Sequence, residues 1–380
     1  LLAARLLDGR SAAAAFDRWQ PFVHVLERDA ERALGIAREG GVRVEAEPCP
    51  LAAPRGESLA TLRLADRERK GYAERLSRAG VPNWGAADRA ADLFLLEHGI
   101  RAGLSLEGEA RPGRRVALVF PEPVLAPSEA GEGAALRWLS LDIETTREGR
   151  VSACGLVQGG ERSVFVVAPG PVEGADAVED ERALLVAIRD RIVELDPDVV
   201  TGWNVVDFDL RVLGERAAAL GLPFDAGRTE APLRIVESPG QRTLAVIEGR
   251  RCVDAMKVLR SAPERFEDQR LETVARGVLG EGKLVASSGP EKLDELEALR
   301  VADPARYAAY CLRDAELPLA ILGKTGMGEL TVLRSALTGL ELERAWTSVP
   351  AFERVYARAL RERGIAAAPP EAPEVGNAAG

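Results

Sequence analysis

Leu136-Arg137-Trp138-Leu139-Ser140-Leu141-Asp142-Ile143-Glu144 is an apolar run that ends in two acids two places apart. Residues 136–142 read as a buried strand. Successive alternate residues of a strand share a face, so Asp142 and Glu144 project together at its end. Two carboxylates side by side repel unless a cation lies between them. Working outward, 151–157 and 163–167 read as partner strands, with turns at Gly149 and Gly159-Gly160. A helical apolar face follows through Leu184, Leu185, Ile188, Ile192 and Leu195. Pro197 then breaks the chain, Val199-Val200 is a short buried strand, and 209–220 is helical again. Residues 243–247 and 251–253 read as a hairpin pair around Glu248-Gly249-Arg250. Residues 271–279, 292–300 and 304–322 read as helices. An antiparallel opening followed by strand–helix alternation predicts an α/β class, a mixed sheet flanked by helices.

Two further motifs answer the first. Asn204-Val205-Val206-Asp207-Phe208-Asp209 falls where a strand and turn pass into a helix, and Tyr310-Cys311-Leu312-Arg313-Asp314 lies inside a helical pattern. Tyr310 and Asp314, four apart, share one helix face. Each motif alone has a plain structural reading. A surface Asp-x-Glu is common, Asn204 or Asp207 can serve the backbone as a turn residue or N-cap, and Tyr310 can be half-buried packing. Phe208 can stack on a base or fill the core. Taken together, in order and at spacings of 209 − 142 = 67 and 314 − 209 = 105, they are far more specific. Asp142, Glu144, Asp209 and Asp314 offer oxygen ligands that suit two hard cations, Mg²⁺ or Mn²⁺. Two such ions clamp the attacking and leaving oxygens of a phosphodiester, with Tyr310 positioning a water.

Composition narrows the alternatives. The 380 residues exceed the usual single-domain size. Hydrophobic content of 46% with 29% charge is that of a globular protein, and no apolar stretch reaches the ~18 residues that span a bilayer. The net charge of −10 argues against a general duplex binder, whose affinity comes from phosphate contacts. It is compatible with a nuclease site built from carboxylates. His24 and His98 are the only histidines, both far in sequence from the motifs. That disfavours His-ligated zinc and Ser/His/Asp chemistry. Cys49, Cys154, Cys252 and Cys311 show no paired spacing, which points to a reducing, cytoplasmic compartment.

The flanks are less sharply marked. Residues 42–46 and 59–64 alternate like strands, while 70–78 and 86–96 read as helices. This predicts a small α+β N-terminal domain over 1–133, with turns at 121–127 and 131–133. The central domain is expected over 134–328. Residues 330–365 read as amphipathic helix, and 366–380, rich in Ala, Pro, Glu and Gly, as linker. The start Leu1-Leu2-Ala3-Ala4-Arg5 has neither Met nor a longer apolar core, and reads as trimmed. Gly280-Glu281-Gly282-Lys283 lacks the spacing of a phosphate loop and reads as a turn.

These residues resemble the 3′→5′ exonuclease domain of family B DNA polymerases, in the four-carboxylate-plus-tyrosine branch. Three strings carry the polymerase-II-like resemblance. They are Ser140-Leu141-Asp142-Ile143-Glu144-Thr145-Thr146, the run from Asp196-Pro197-Asp198 through Trp203-Asn204 to Leu210-Arg211, and Leu271-Glu272-Thr273-Val274-Ala275 with Leu279-Gly280-Glu281-Gly282-Lys283. The likeness is strong over 134–325. It implies a ribonuclease-H-like exonuclease fold, and an N-terminal domain that the chain re-enters over 329–380 before a palm domain. It implies Asp142, Glu144, Asp209 and Asp314 as ligands of two metal ions and Tyr310 as the water-orienting tyrosine. Thr145, Asn204 and Phe208 would touch the 3′ end of single-stranded DNA. Asp209 is taken over Asp207 because it directly follows Phe208. A sliding clamp is a candidate partner through a later region; a monomer without membrane attachment is expected. The palm motifs are absent from this chain, so it is not expected to synthesise DNA. Two other readings remain: a stand-alone 3′→5′ exonuclease, and a silent exonuclease-like scaffold that binds nucleic acid.

Overall fold

The computed structural model describes residues 2–85, 89–128, 134–237, 242–280 and 290–367. At its centre is a six-stranded mixed sheet built from β1 (Trp138–Thr145), β2 (Val151–Gln158), β3 (Glu161–Val167), β4 (Asp176–Val178), β5 (Val199–Gly202) and β6 (Arg251–Asp254). The spatial order is 4-3-2-1-5-6. The first three strands form an antiparallel meander, whereas β5 and β6 run parallel to β1. This is the mixed, helix-flanked sheet that the sequence pattern predicts.

Alternation along β1 sorts its side chains between two layers. Leu139, Leu141 and Ile143 are buried in one cluster with Leu184, Leu185, Ile188 and Ile192 of α1 (Glu181–Leu195) and Leu210 and Leu213 of α2 (Asp209–Ala219). The opposite face is crossed by α3 (Pro304–Lys324), whose Tyr307, Tyr310 and Cys311 pack on Ala153 and Val166. Further along α3, Leu317 and Ile321 join Val199 and Val253. Since Asp142 and Glu144 lie on the face away from Leu141 and Ile143, they are turned toward α3.

Gly155 explains how closely α3 can approach. It stands opposite Asp142 in the ladder. A Cβ there would lie 2.8 Å from the Cys311 carbonyl oxygen and 3.0 Å from the Leu312 Cα. The missing side chain lets helix backbone rest almost on strand backbone.

One expected pairing is not formed. Residues 243–247 and 251–253 do not make a hairpin. Leu244–Val246 pairs instead with Arg234–Val236, and β6 joins the central sheet beside β5. The expected turn exists, with the Arg250 N–H donating to the Ile247 carbonyl at 2.9 Å. Beyond it the chain is redirected. The buried Arg250 guanidinium bonds the Pro197 carbonyl and Asp196, and the Arg251 N–H donates to the Asp198 carbonyl at 2.8 Å. Cys252 and Val253 are both buried, so this strand needs cover on both faces, which the interior sheet provides.

The N-terminal part is α+β. Phe22–Leu26, Glu45–Ala52, Ser58–Arg63 and Asn83–Trp84 form one sheet, against which Ala30–Glu39 and Asp66–Arg78 pack. The expected helix over 86–96 is found as Ala90–Glu97. Its first residues, like 131–133, 281–283 and most of the 366–380 tail, lie outside the described residues. After α3 come α4 (Met327–Thr338) and α5 (Ser348–Glu362). The chain then touches its N-terminal part again. Arg354 pairs with Asp92 at 2.7 Å, and the Ala366 N–H donates to the Ala52 carbonyl at 2.9 Å.

Candidate active site

Three parallel strands end side by side, and each delivers part of the site. β1 ends in Asp142, Glu144 and Thr145; β5 leads through Gly202 into the Asn204–Asp209 turn; β6 ends in Asp254. The carboxyl edge of parallel strands is the usual place for a ligand in an open α/β sheet. Here α3 closes one side and brings Tyr310 and Asp314.

Asp142, Glu144 and Asp314 form a cluster, with one carboxylate oxygen of each within 4.8 Å of the others. Asp142 and Glu144 are half-buried, and Asp314 is buried. The fourth acid, Asp209, is not part of that tight group. Its Oδ1 accepts the Ile143 N–H at 3.0 Å, between the two acids of β1. Burial raises its carboxyl above the usual range, against the pull of that N–H, and the charges of Glu144 and Asp254 add to the rise. Acids so crowded are a poor arrangement without positive charge nearby.

Tyr310 is fully buried, not the half-buried residue of the plain reading, and its hydroxyl bonds Asp314. Burial first, then the charges of Asp314 and Glu144, push its phenol far up, so it stays a neutral hydrogen-bond donor. The nearby thiols of Cys154 and Cys311 are also raised by burial and by Asp142. The donor atoms that cluster are carboxylate oxygens, which fit a hard divalent cation.

The second motif is shaped by its backbone. Asn204 has φ 64°, a left-handed conformation that asparagine tolerates better than most residues. The Phe208 N–H closes the turn on the Asn204 carbonyl at 3.1 Å. Phe208 itself occupies the N-cap of α2 without any side-chain cap, and 43% of it is exposed. The capping and core-filling readings are thus not what the fold builds. Asp207 turns aside to Lys257 at 2.8 Å. Thr145 lies half-buried at the end of β1, where its pairing with β2 becomes irregular.

Sequence reasoning missed Asp254. Its Oδ1 accepts the N–H groups of both Asn204 and Lys257 at 3.3 Å, so it caps Ala255–Leu259 and holds the start of the second motif. The signal was present: Arg251-Cys252-Val253-Asp254 is, like β1, an apolar strand that ends in an acid.

The family described as DNA polymerase family B, exonuclease domain, matches residues 160–274, a stretch that contains the second motif. The chain carries a family B polymerase exonuclease domain. It is 33% identical over 314 residues to DNA polymerase II of Escherichia coli (strain K12), covering 80% of this chain and 39% of that protein. It is 31% identical over 239 residues to the DNA polymerase delta catalytic subunit of Mesocricetus auratus, covering 55% of this chain and 21% of that one. In fold it resembles the family B DNA polymerase of the archaeon Pyrobaculum calidifontis. The TM-score is 0.75 at 24% identity, over 95% of this chain and 48% of the other. The chain thus spans less than half the length of these relatives.

Proposed function

We propose that the family B exonuclease domain of this chain hydrolyses the terminal phosphodiester bond at the 3′ end of single-stranded DNA, as the proofreading portion of a polymerase-II-like enzyme. The observation that carries this reading is the convergence of Asp142, Glu144 and Asp314 within 4.8 Å at the carboxyl edge of β1. Asp142, Glu144, Asp209 and Asp314 would hold two Mg²⁺ or Mn²⁺ ions. When bound, such ions supply the positive charge that activates water and stabilises the leaving oxygen. Tyr310, whose one hydroxyl proton goes to Asp314, orients the water by accepting a hydrogen bond from it. Asn204 and Phe208 meet the last nucleotides of the strand, and Thr145 contacts its end. In this reading 1–133 is an N-terminal domain, 134–328 the exonuclease, and 329–380 the return to the N-terminal domain.

The test is digestion of a 3′-labelled single strand by the chain with Mg²⁺ or Mn²⁺. Laddering from the 3′ end is expected. Chelation, or Asp142→Ala together with Glu144→Ala, is expected to stop it while the fold is kept. A folded, metal-supplied preparation that leaves the strand intact refutes the proposal.

A further inference from the structure

The ladder between β1 and β2 is irregular at one place. Glu144 pairs with Ala153 and Thr145 with Val151, so Ser152 is an extra residue on β2. A bulge of this kind leaves part of the ladder unpaired. Ser152 repairs it with its own side chain, its Oγ donating to the Glu144 carbonyl at 3.0 Å. That uses the only proton of the hydroxyl, so the Tyr307 hydroxyl, 2.8 Å away, donates to Ser152 in turn. Both residues are 2% exposed. Tyr307 lies on α3, one turn before Tyr310 and two before Asp314. Two consecutive buried hydrogen bonds therefore run from the helix that carries Asp314 to the backbone of Glu144.

We propose that Tyr307 and Ser152 are positioning residues that set the Glu144 carboxylate against Asp142 and Asp314 for divalent-cation binding. This rests on the reading of those acids as metal ligands. Without the brace, the bulged end of β1 is free to shift relative to α3. The distances within the carboxylate cluster then spread, although no ligand has been removed. Partners one step behind a ligand typically change metal affinity by about 10- to 100-fold when lost.

The experiment is direct titration of the whole chain with Mn²⁺ by calorimetry, alongside metal-free thermal unfolding and single-strand digestion. Tyr307→Phe keeps the ring and deletes only the donor. It is expected to weaken Mn²⁺ binding about 10-fold. The Mn²⁺ concentration for half-maximal digestion should rise by the same factor, while KM for the strand holds. Ser152→Ala should do the same, and the double variant should be no worse than Ser152→Ala, because Tyr307 acts through Ser152. Ser152→Thr, which restores a hydroxyl, should recover much of the loss. If Tyr307→Phe and Ser152→Ala bind Mn²⁺ as tightly as the parent, whatever their melting temperatures, the pair is merely structural and the proposal falls. If the parent binds no Mn²⁺, or Glu144→Ala binds it unchanged, the reading of the acids fails and takes this one with it.

Discussion

Phe208 and Asn204 stand next to each other in the site yet are held there for different reasons. Phe208 is exposed, so its ring contributes little to the fold. A base stacked on an aromatic ring is worth about 1–3 kcal/mol. Phe208→Ala should therefore raise KM for a single strand by about 10-fold or more while stability shifts by less than about 0.5 kcal/mol. Normal KM would remove Phe208 from the DNA contact. Asn204 is constrained by its left-handed backbone, which glycine adopts without strain. Asn204→Gly thus separates backbone from side chain: stability should hold, and strand binding should weaken. If binding is also unchanged, the asparagine is there only for the turn. Tyr310→Phe asks the same question of the third motif. The ring stays packed and the bond to Asp314 goes. We expect kcat and kcat/KM to fall together, by about 10-fold or more, because the hydroxyl acts mainly in the transition state. Unchanged kcat would leave the acids to act without it.

Between elements, the approach of α3 to β2 decides whether the acids meet at all. Gly155→Ala places a methyl carbon against the Cys311 carbonyl and the Leu312 Cα. Backbone cannot swing aside as a side chain does, so α3 must retreat. Overpacking of this kind costs about 1–3 kcal/mol. The retreat also separates Asp314 from Asp142 and Glu144, so Mn²⁺ affinity should fall with the melting temperature; a loss of stability alone would show that the cluster tolerates the shift. Legibility in the sequence followed the range of the interactions. The inward face of Glu181–Leu195 was readable, because its five apolar positions repeat at helical spacing and all are buried. The three motifs were readable because each is a local string. The partner of Leu244–Val246 was not, because Arg250 redirects the following strand through contacts with Asp196 and Pro197 more than fifty positions away. Ser11–Ala15 was hidden in another way. Four consecutive alanines favour helix, yet they form a strand buried between Leu2–Arg5 and Leu118–Pro121. Ser152 and Tyr307 were invisible for a related reason, since a bulge cannot be read from either strand alone.

At the scale of the whole molecule, buried polar groups far from the site make stability sensitive to pH and to the loss of a partner. His24 is held neutral in the N-terminal sheet. Burial first, then the Arg361 charge, lower its pKa from 6.5 to about 4. As pH falls below 6.5 the unfolded chain takes up a proton that the folded chain refuses until about pH 4. The stability from this group is therefore complete above pH 6.5 and shed between 6.5 and 4, at most about 3 kcal/mol. Denaturant midpoints across that window should fall less steeply in His24→Gln than in the parent; parallel curves would refute the assignment. The tie between the first strand and the exonuclease sheet is a different kind of buried group. Arg5, 2% exposed at its side chain, donates from Nη2 to Asp198 Oδ1 at 2.9 Å and lies 3.1 Å from Asp196 Oδ2. Asp198 also takes Arg228 Nη2 at 2.6 Å and the Arg137 N–H at 2.8 Å. The cluster sits immediately before β5, so it joins the start of the chain to the strand that leads into the second motif. A buried pair adds little over a well-packed apolar substitute, but removing one partner strands the other, at about 3–5 kcal/mol. Arg5→Met should cost that much. Adding Asp198→Asn, which removes the stranded charge, should return part of the loss, since the amide still accepts the Arg137 N–H. A single variant that loses under about 1 kcal/mol, or a double variant whose losses simply add, would mean that Arg228 alone satisfies Asp198 and that Arg5 is not the tie.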